Sequence, residues 1–164
     1  MVETLDHHVG QLLAALQNAG IADNTLVIFT ADNGGHPDYA ANGPLRGSKW
    51  NLYEGGIRVP RIIRWPGTVP AGKVNDSPMS GVDLPPTLVA VAGKPVSAGV
   101  ALDGRNRLPV WRGGSTSDAS RSLFWHFPYY HPEAGFEQAQ PRISVDDFAA
   151  SQTRPQSALS LIHI

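Results

Sequence analysis

Apolar side chains near the amino terminus recur at spacings of three and four residues, from Val2 through Ala19. This spacing places them on one face of a helix, so the pattern predicts an amphipathic helix over residues 3–19 with Gly20 as its left-handed cap. The run of β-branched and apolar residues at 25–30 follows a short turn and predicts a strand buried on both faces. A helix, a short loop and a buried strand in this order indicate an α/β fold.

Regular patterns return after a long irregular loop. The loop covers residues 31–56 and is rich in glycine. A loop of this length inside a compact domain is usually functional. No periodicity is recognisable from residue 129 onwards. The further predicted elements are a strand at 57–65, a short helix at 84–92 and a strand at 123–127.

The composition indicates a folded chain whose recognition of ligands is local. Of the 164 residues, 41% are hydrophobic and 16% are charged, against about 25% charged in typical proteins. The net charge of −1 gives no general basic surface for nucleic acid. We expect neither a membrane span nor a secretory leader in this sequence, because no long apolar run and no basic-then-apolar start is present. The absence of cysteine excludes disulfides and thiolate metal ligands within the chain.

Asp32 and Asn33 come directly after the predicted strand at 25–30 and are followed by two glycines. In open α/β sheets, ligands bind outside the carboxyl ends of the strands. A turn through the glycines lets a carboxylate and an amide oxygen converge on one cation, and such oxygen ligands favour Ca²⁺ or Mg²⁺ over zinc. The alternative is that this tetrapeptide is only a turn.

Basic residues are concentrated between Pro44 and Lys73, where Glu54 is the only acidic residue. Lys49 lies between small residues in the glycine-rich loop, so its ammonium could meet an anion bound to the cation. His36 lies in the same loop and is a second candidate for contact with a substrate. The alternatives are a solvated basic rim and a solvated loop histidine. The basic residues of this segment are Arg46, Lys49, Arg58, Arg61, Arg64 and Lys73.

Several short blocks occur together in a fixed order: TLVIFTADNGG, PLRGSK, YEGGIRVP, RWPG and DLPPTL. This ordered set resembles the C-terminal half of the formylglycine-dependent sulfatases, of the arylsulfatase type, within the alkaline phosphatase superfamily. The resemblance implies part of an alkaline-phosphatase-like α/β sandwich with a central, mainly parallel sheet and flanking helices, truncated at both ends. It also implies that Asp32 and Asn33 are ligands of one calcium ion and that Lys49 contacts the sulfate ester.

One structural role follows from the resemblance and another from the local sequence. Glu54, Gly55 and Gly56 correspond to a turn that follows the lysine. Asp83 precedes two prolines and is better interpreted as a helix N-cap than as a catalytic acid. We divide the sequence accordingly into the late part of the α/β domain at 1–112, the start of a smaller C-terminal region at 113–158, and a tail at 159–164 that does not look native.

The segment that supplies the family's nucleophile, Cys/Ser-x-Pro-x-Arg, does not occur in the sequence. We therefore expect the formylglycine to lie in a preceding half, the calcium site to be incomplete, and this chain alone to be inactive. The parent enzyme would hydrolyse a sulfated small molecule or glycan. Two alternatives stay open at this point, namely a phosphoesterase or phosphonate hydrolase of the same superfamily and a non-catalytic anion-binding fragment.

Overall fold

A computed structural model describes residues 1–114 and 121–127, together with the backbone of residues 156–161. The helices are α1 (Val2–Asn18), α2 (Glu54–Ile57), α3 (Leu84–Val91) and α4 (Leu108–Trp111). The strands are β1 (Val27–Thr30), β2 (Arg61–Arg64), β3 (Ser122–Phe127) and β4 (Gln156–Leu161). The chain divides into two compact units, one formed by Met1–Phe29 and Ile62–Asp118 and the other by Thr30–Arg61 and Ala119–Ile164.

The amino-terminal helix confirms the prediction from the apolar spacing. Helix α1 covers Val2–Asn18, and Gly20 follows it with a φ of +68°, the left-handed conformation expected of a cap. The helix has no buried residue, and Leu5 and Leu12 on its apolar face are 51% and 54% exposed. The pattern therefore predicted the helix correctly, while the described chain leaves much of its apolar face uncovered.

Strands β1 and β2 pair in a two-stranded sheet. The prediction that the first strand is buried on both faces was wrong for this chain, since its residues are half-buried or exposed. Burial on both faces requires a layer of chain on each side of the sheet. The second strand begins only at Arg61, because Pro60 lacks the N–H that a sheet ladder needs and residues 54–57 form helix α2.

The core of the first unit lies around helices α3 and α4. Leu108, Val110 and Trp111 are buried, and the indole Nε1 of Trp111 donates to the sulfur of Met79 at 3.3 Å. The predicted helix at 84–92 is confirmed as Leu84–Val91, with proline in its first turn. Backbone N–H groups in the first turn have no hydrogen-bond partner within the helix, so proline costs no hydrogen bond there.

Asp83 is fully buried at the start of α3, but its carboxylate does not cap that helix. The oxygen Oδ2 accepts from the backbone N–H of Ser80 at 2.9 Å, and Oδ1 accepts from the backbone N–H of Arg105 at 2.8 Å. Thr87, also buried, donates its hydroxyl to the carbonyl of Asp83 and accepts from the backbone N–H of Arg107. Asp83 therefore occupies the predicted N-cap position of α3, although its carboxylate bonds to no N–H of that helix. Instead, it forms a capping box with Ser80 around the preceding 3₁₀ turn, Gly81–Asp83, and joins this turn to Arg105.

In the second unit, β3 and β4 pair antiparallel, with Ser122 opposite Leu161 and Phe127 opposite Gln156. The predicted strand at 123–127 is confirmed, whereas β4 lies in a stretch where the sequence showed no periodicity. The division into 1–112, 113–158 and 159–164 stays a prediction, because most of the chain after residue 113 lies outside the described residues.

The described strands form two separate two-stranded sheets, which makes this part of the chain a mixed α/β structure. The central, mainly parallel sheet therefore stays a prediction. Among the described residues, no helix combines the length and the apolar character needed to cross a bilayer.

Candidate functional site

The sequence-predicted metal ligands follow β1 directly, and their hydrogen bonds leave two oxygens available. The backbone N–H of Asn33 donates to Oδ1 of Asp32 at 2.9 Å, and the amide Nδ2 of Asn33 donates to the carbonyl of Gly34 at 2.9 Å. These bonds orient both side chains. Neither Oδ2 of Asp32 nor Oδ1 of Asn33 accepts a hydrogen bond within the described part of the chain.

A carboxylate oxygen and an amide oxygen are hard donors that suit Ca²⁺, which takes six to eight oxygen ligands. Within the described residues, no group of three or more His, Cys, Asp or Glu side chains could hold a metal ion. Asp32 and Asn33 therefore fit a calcium ion as part of a ligand set, and they do not form a complete site by themselves.

Close backbone contact joins the Asp-Asn-Gly-Gly turn to the loop after Lys49. The N–H of Gly34 donates to the carbonyl of Gly56 at 2.8 Å. A Cβ added to Gly34 would overlap the carbonyl oxygen of Gly55, and one added to Gly55 would overlap the carbonyl oxygen of Gly47. Because only glycine allows backbones to approach so closely, the glycines in the predicted turn at 54–56 have a packing role.

A second backbone hydrogen bond to the same turn positions the candidate sulfate-binding lysine. The backbone N–H of Lys49 donates to the carbonyl of Gly35 at 3.0 Å, so the lysine is anchored beside the turn that carries Asp32 and Asn33. Its ammonium Nζ lies over the ring of Trp50, 5.0 Å from the centroid. A common space for this ammonium and the two ligand oxygens stays a prediction.

Two asparagines that the sequence analysis did not single out organise this region. The side-chain amide of Asn42 accepts from the N–H of Gly35 at 2.8 Å and donates to the carbonyl of Gly47 at 3.0 Å. These bonds join the Asp-Asn-Gly-Gly turn to the segment around Gly47. Asn51 is 5% exposed, and its Oδ1 lies 3.3 Å from the N–H groups of Ser48 and Tyr53. Asparagine in a long glycine-rich loop was the available signal, because its side chain substitutes for backbone partners in turns.

His36 does not have the surroundings of a solvated loop histidine. Its side chain is 22% exposed, and its ring stacks on Tyr39 and meets Trp50 edge-on, each with 4.7 Å between centroids. The ring nitrogen Nδ1 accepts from the backbone N–H of Asp38 at 3.2 Å and lies 3.9 Å from the carboxylate of Asp38. His36 is therefore a half-buried, stacked histidine, and its contact with a substrate stays a prediction.

Two arginines of the basic segment contact other side chains of the same segment. Arg58 pairs with Glu54 across one helical turn at 3.7 Å, and the guanidinium of Arg46 lies 4.2 Å from the ring centroid of Tyr53. Exposed ion pairs of this kind are worth little energy. They place two of the positive charges beside a carboxylate and an aromatic face, but both arginines are exposed, as in the solvated rim that the sequence offered as an alternative.

Comparison with known proteins supports the resemblance found in the sequence. A sulfatase family profile matches residues 1–94, and the profile described as N-sulphoglucosamine sulphohydrolase, C-terminal, matches residues 48–148. Human steryl-sulfatase is 38% identical over 138 residues, which covers 79% of this chain and 24% of that protein. A sulfatase of Formosa agariphila is 41% identical over 141 residues, covering 79% of this chain and 26% of the relative.

Solved structures show the same relationship. The crystal structure of Ps i-CgsB in complex with k-i-k-neocarrahexaose matches with a TM-score of 0.74 and 38% identity, over 79% of this chain and 29% of that one. The chain thus spans about a quarter of the length of the curated relatives it matches. The first profile covers more than half of the chain, so the chain belongs to the sulfatase family.

Proposed function

We propose that this chain is the C-terminal-half part of a calcium-dependent sulfatase that hydrolyses sulfate esters. Membership of the sulfatase family supports the reaction class. The single observation that carries the assignment of roles is the hydrogen bond from the Lys49 N–H to the Gly35 carbonyl, because it joins the candidate lysine to the turn that bears the candidate ligands. In the parent enzyme, the fold would be an alkaline-phosphatase-like sandwich around a mainly parallel sheet.

In this proposal, Asp32 and Asn33 hold the metal through the two oxygens that accept no hydrogen bond in the described chain. A bound calcium ion supplies positive charge that stabilises the sulfate oxygens. Lys49 adds a compact cation that orients the sulfate group and stabilises negative charge as the ester bond breaks.

The nucleophile belongs to another part of the parent enzyme, since this sequence contains no Cys/Ser-x-Pro-x-Arg segment. A formylglycine in that part would supply the attacking oxygen. This chain alone would consequently bind calcium weakly and release no sulfate. The substrate would be a sulfated small molecule or glycan, in keeping with the related structure that binds k-i-k-neocarrahexaose.

The test is a calcium titration of the complete enzyme that contains this segment. Asp32→Ala removes a charged ligand, and we expect it to raise the calcium concentration for half-maximal activity and to lower kcat/KM by about 10²- to 10³-fold. Asp23→Ala is the matched control, because Asp23 is an exposed carboxylate before β1. Equal calcium responses in the two variants would contradict the assigned ligand. Release of phosphate but not of sulfate from matched esters would favour the phosphoesterase instead.

A further inference from the structure

An aromatic cluster formed by His36, Tyr39 and Trp50 lies directly beside Lys49 in the second unit. We propose that this aromatic cluster is a stacking platform for a pyranose ring of a sulfated glycan, placed next to the sulfate that Lys49 contacts. The inference deepens the proposed function and rests on it for the role of Lys49.

The cluster presents an aromatic face to solvent and holds it in place. Tyr39 is 81% exposed, although its ring stacks on His36 at 4.7 Å with an interplanar angle of 29°. His36 is fixed in turn by the edge-on contact with Trp50. An exposed ring with a fixed orientation gives a flat apolar surface at a small cost in conformational entropy, which is what stacking of a ligand ring requires.

The backbone also indicates a function at this place. Trp50 has a φ of +78°, in the left-handed region that is unfavourable for a bulky side chain. Such strained conformations cluster at ligand-binding sites, where the surrounding structure holds them. Here the N–H of the buried Asn51 donates to the carbonyl of the buried Ser48 at 3.2 Å, and this bond closes the backbone around Trp50.

Hydrogen bonds within the glycine-rich loop hold the aromatic cluster and Lys49 beside each other. Asn42 bonds to Gly35 on one side and to Gly47 on the other. Lys49 bonds to the Gly35 carbonyl, and its ammonium lies over the Trp50 ring at 5.0 Å. One ligand that carries a sulfate and a ring can therefore contact the cation and the aromatic surface together.

The polar groups beside the platform favour a sugar over a sterol. The carboxylate of Asp38, 40% exposed, lies 3.9 Å from His36 at the edge of the cluster. A pyranose has an apolar C–H face that packs on aromatic rings and equatorial hydroxyls that donate to a carboxylate. A sterol skeleton offers no hydrogen-bond donors at this edge and would desolvate Asp38 without compensation.

The test uses the complete enzyme and two variants of one residue. Tyr39→Ala removes the exposed ring, and Tyr39→Phe retains it. Sulfated k-i-k-neocarrahexaose and a steryl sulfate are the substrates, and tryptophan fluorescence measures binding of the desulfated hexaose. We expect Tyr39→Ala to raise KM for the sulfated hexaose about tenfold with kcat within about twofold, and to weaken binding of the desulfated hexaose similarly. Tyr39→Phe should behave as the unmodified enzyme.

Phe124→Ala is a second control, since Phe124 is 76% exposed on β3 and lies outside the cluster. An unchanged KM for the hexaose in Tyr39→Ala, or an effect confined to the steryl sulfate, would overturn the platform as a sugar site. If the unmodified enzyme hydrolyses no sulfate ester, the proposed function fails. Fluorescence binding of the desulfated hexaose still decides the platform in that case.

Discussion

The backbone N–H of Lys49 donates a hydrogen bond to the carbonyl oxygen of Gly35, at 3.0 Å. The two residues are far apart in the loop, and the bond closes that loop against the turn after β1. The bond fixes the position of the Lys49 backbone beside that turn. The conformation of the side chain then decides which groups the ammonium contacts. The predictions below separate the contribution of this loop closure from that of the charged groups.

Gly34→Ala should destabilise the second unit, because the added Cβ would overlap the carbonyl oxygen of Gly55 and disrupt the bond from Gly34 to Gly56. We expect a loss of more than about 2 kcal/mol in the free energy of unfolding, measured by urea denaturation of the complete enzyme. Gly10→Ala is the matched control. Apart from its chain neighbours and its own helix backbone, no atom of the described residues lies within 4 Å of a Cβ added at Gly10, and a helical glycine replaced by alanine gains about 0.5–1 kcal/mol. Equal stability of the two variants would refute the close-contact argument.

Lys49→Ala should lower kcat/KM of the complete enzyme for sulfate esters by about 10²- to 10³-fold, since it removes the cation that would lie beside the sulfate group as negative charge develops there. Lys49→Arg keeps the charge and should retain part of the activity. Steady-state kinetics with an aryl sulfate measures both. Lys94→Ala controls for the loss of one positive charge, because Lys94 is an exposed lysine of the other unit. A similar rate in the Lys49 and Lys94 alanine variants would exclude Lys49 from sulfate binding.

Asp83→Ala should destabilise the first unit, because it leaves the backbone N–H groups of Ser80 and Arg105 without their acceptor. Hydrogen bonds to charged groups contribute about 1.5–3 kcal/mol each, so we expect a loss of about 3 kcal/mol. Thermal unfolding measures the change. Asp103→Ala removes an exposed carboxylate and should change stability by less than about 0.5 kcal/mol. A purely catalytic role for Asp83 would lower activity and leave the unfolding temperature unchanged.

The exposed apolar face of α1 should cause the 164-residue chain to self-associate. Replacing Leu5 and Leu12 together with lysine should reduce association, and sedimentation velocity measures the distribution of species. The control replaces Gln11 and Gln17 with lysine, which adds the same charge at exposed polar positions of the same helix. If both double variants reduce association equally, net charge and not the apolar face is responsible.

The sequence by itself determined the local elements and the chemistry of the candidate site. Helix α1 and helix α3 follow from apolar spacing, glycine and proline, which act over a few residues. The ordered motifs identified the family, and Asp32, Asn33 and Lys49 followed from those motifs as candidates. Local signals were sufficient because hydrogen bonding within a helix and turn preferences depend on neighbours along the chain.

Only the tertiary structure decided how separate segments contact one another. Residue type and position suggested that Asp83 caps α3, yet its carboxylate joins Ser80 to Arg105. The sequence left His36 either as a substrate contact or as a solvated histidine, and only the structure shows that its ring packs against Tyr39 and Trp50. In both cases, the groups that the side chain contacts depend on which segments lie nearby in the fold. They also depend on the free-energy cost of burying a polar group without a hydrogen bond or of exposing an apolar ring to water. Those quantities are set by the folded backbone and are not encoded in any short stretch of sequence.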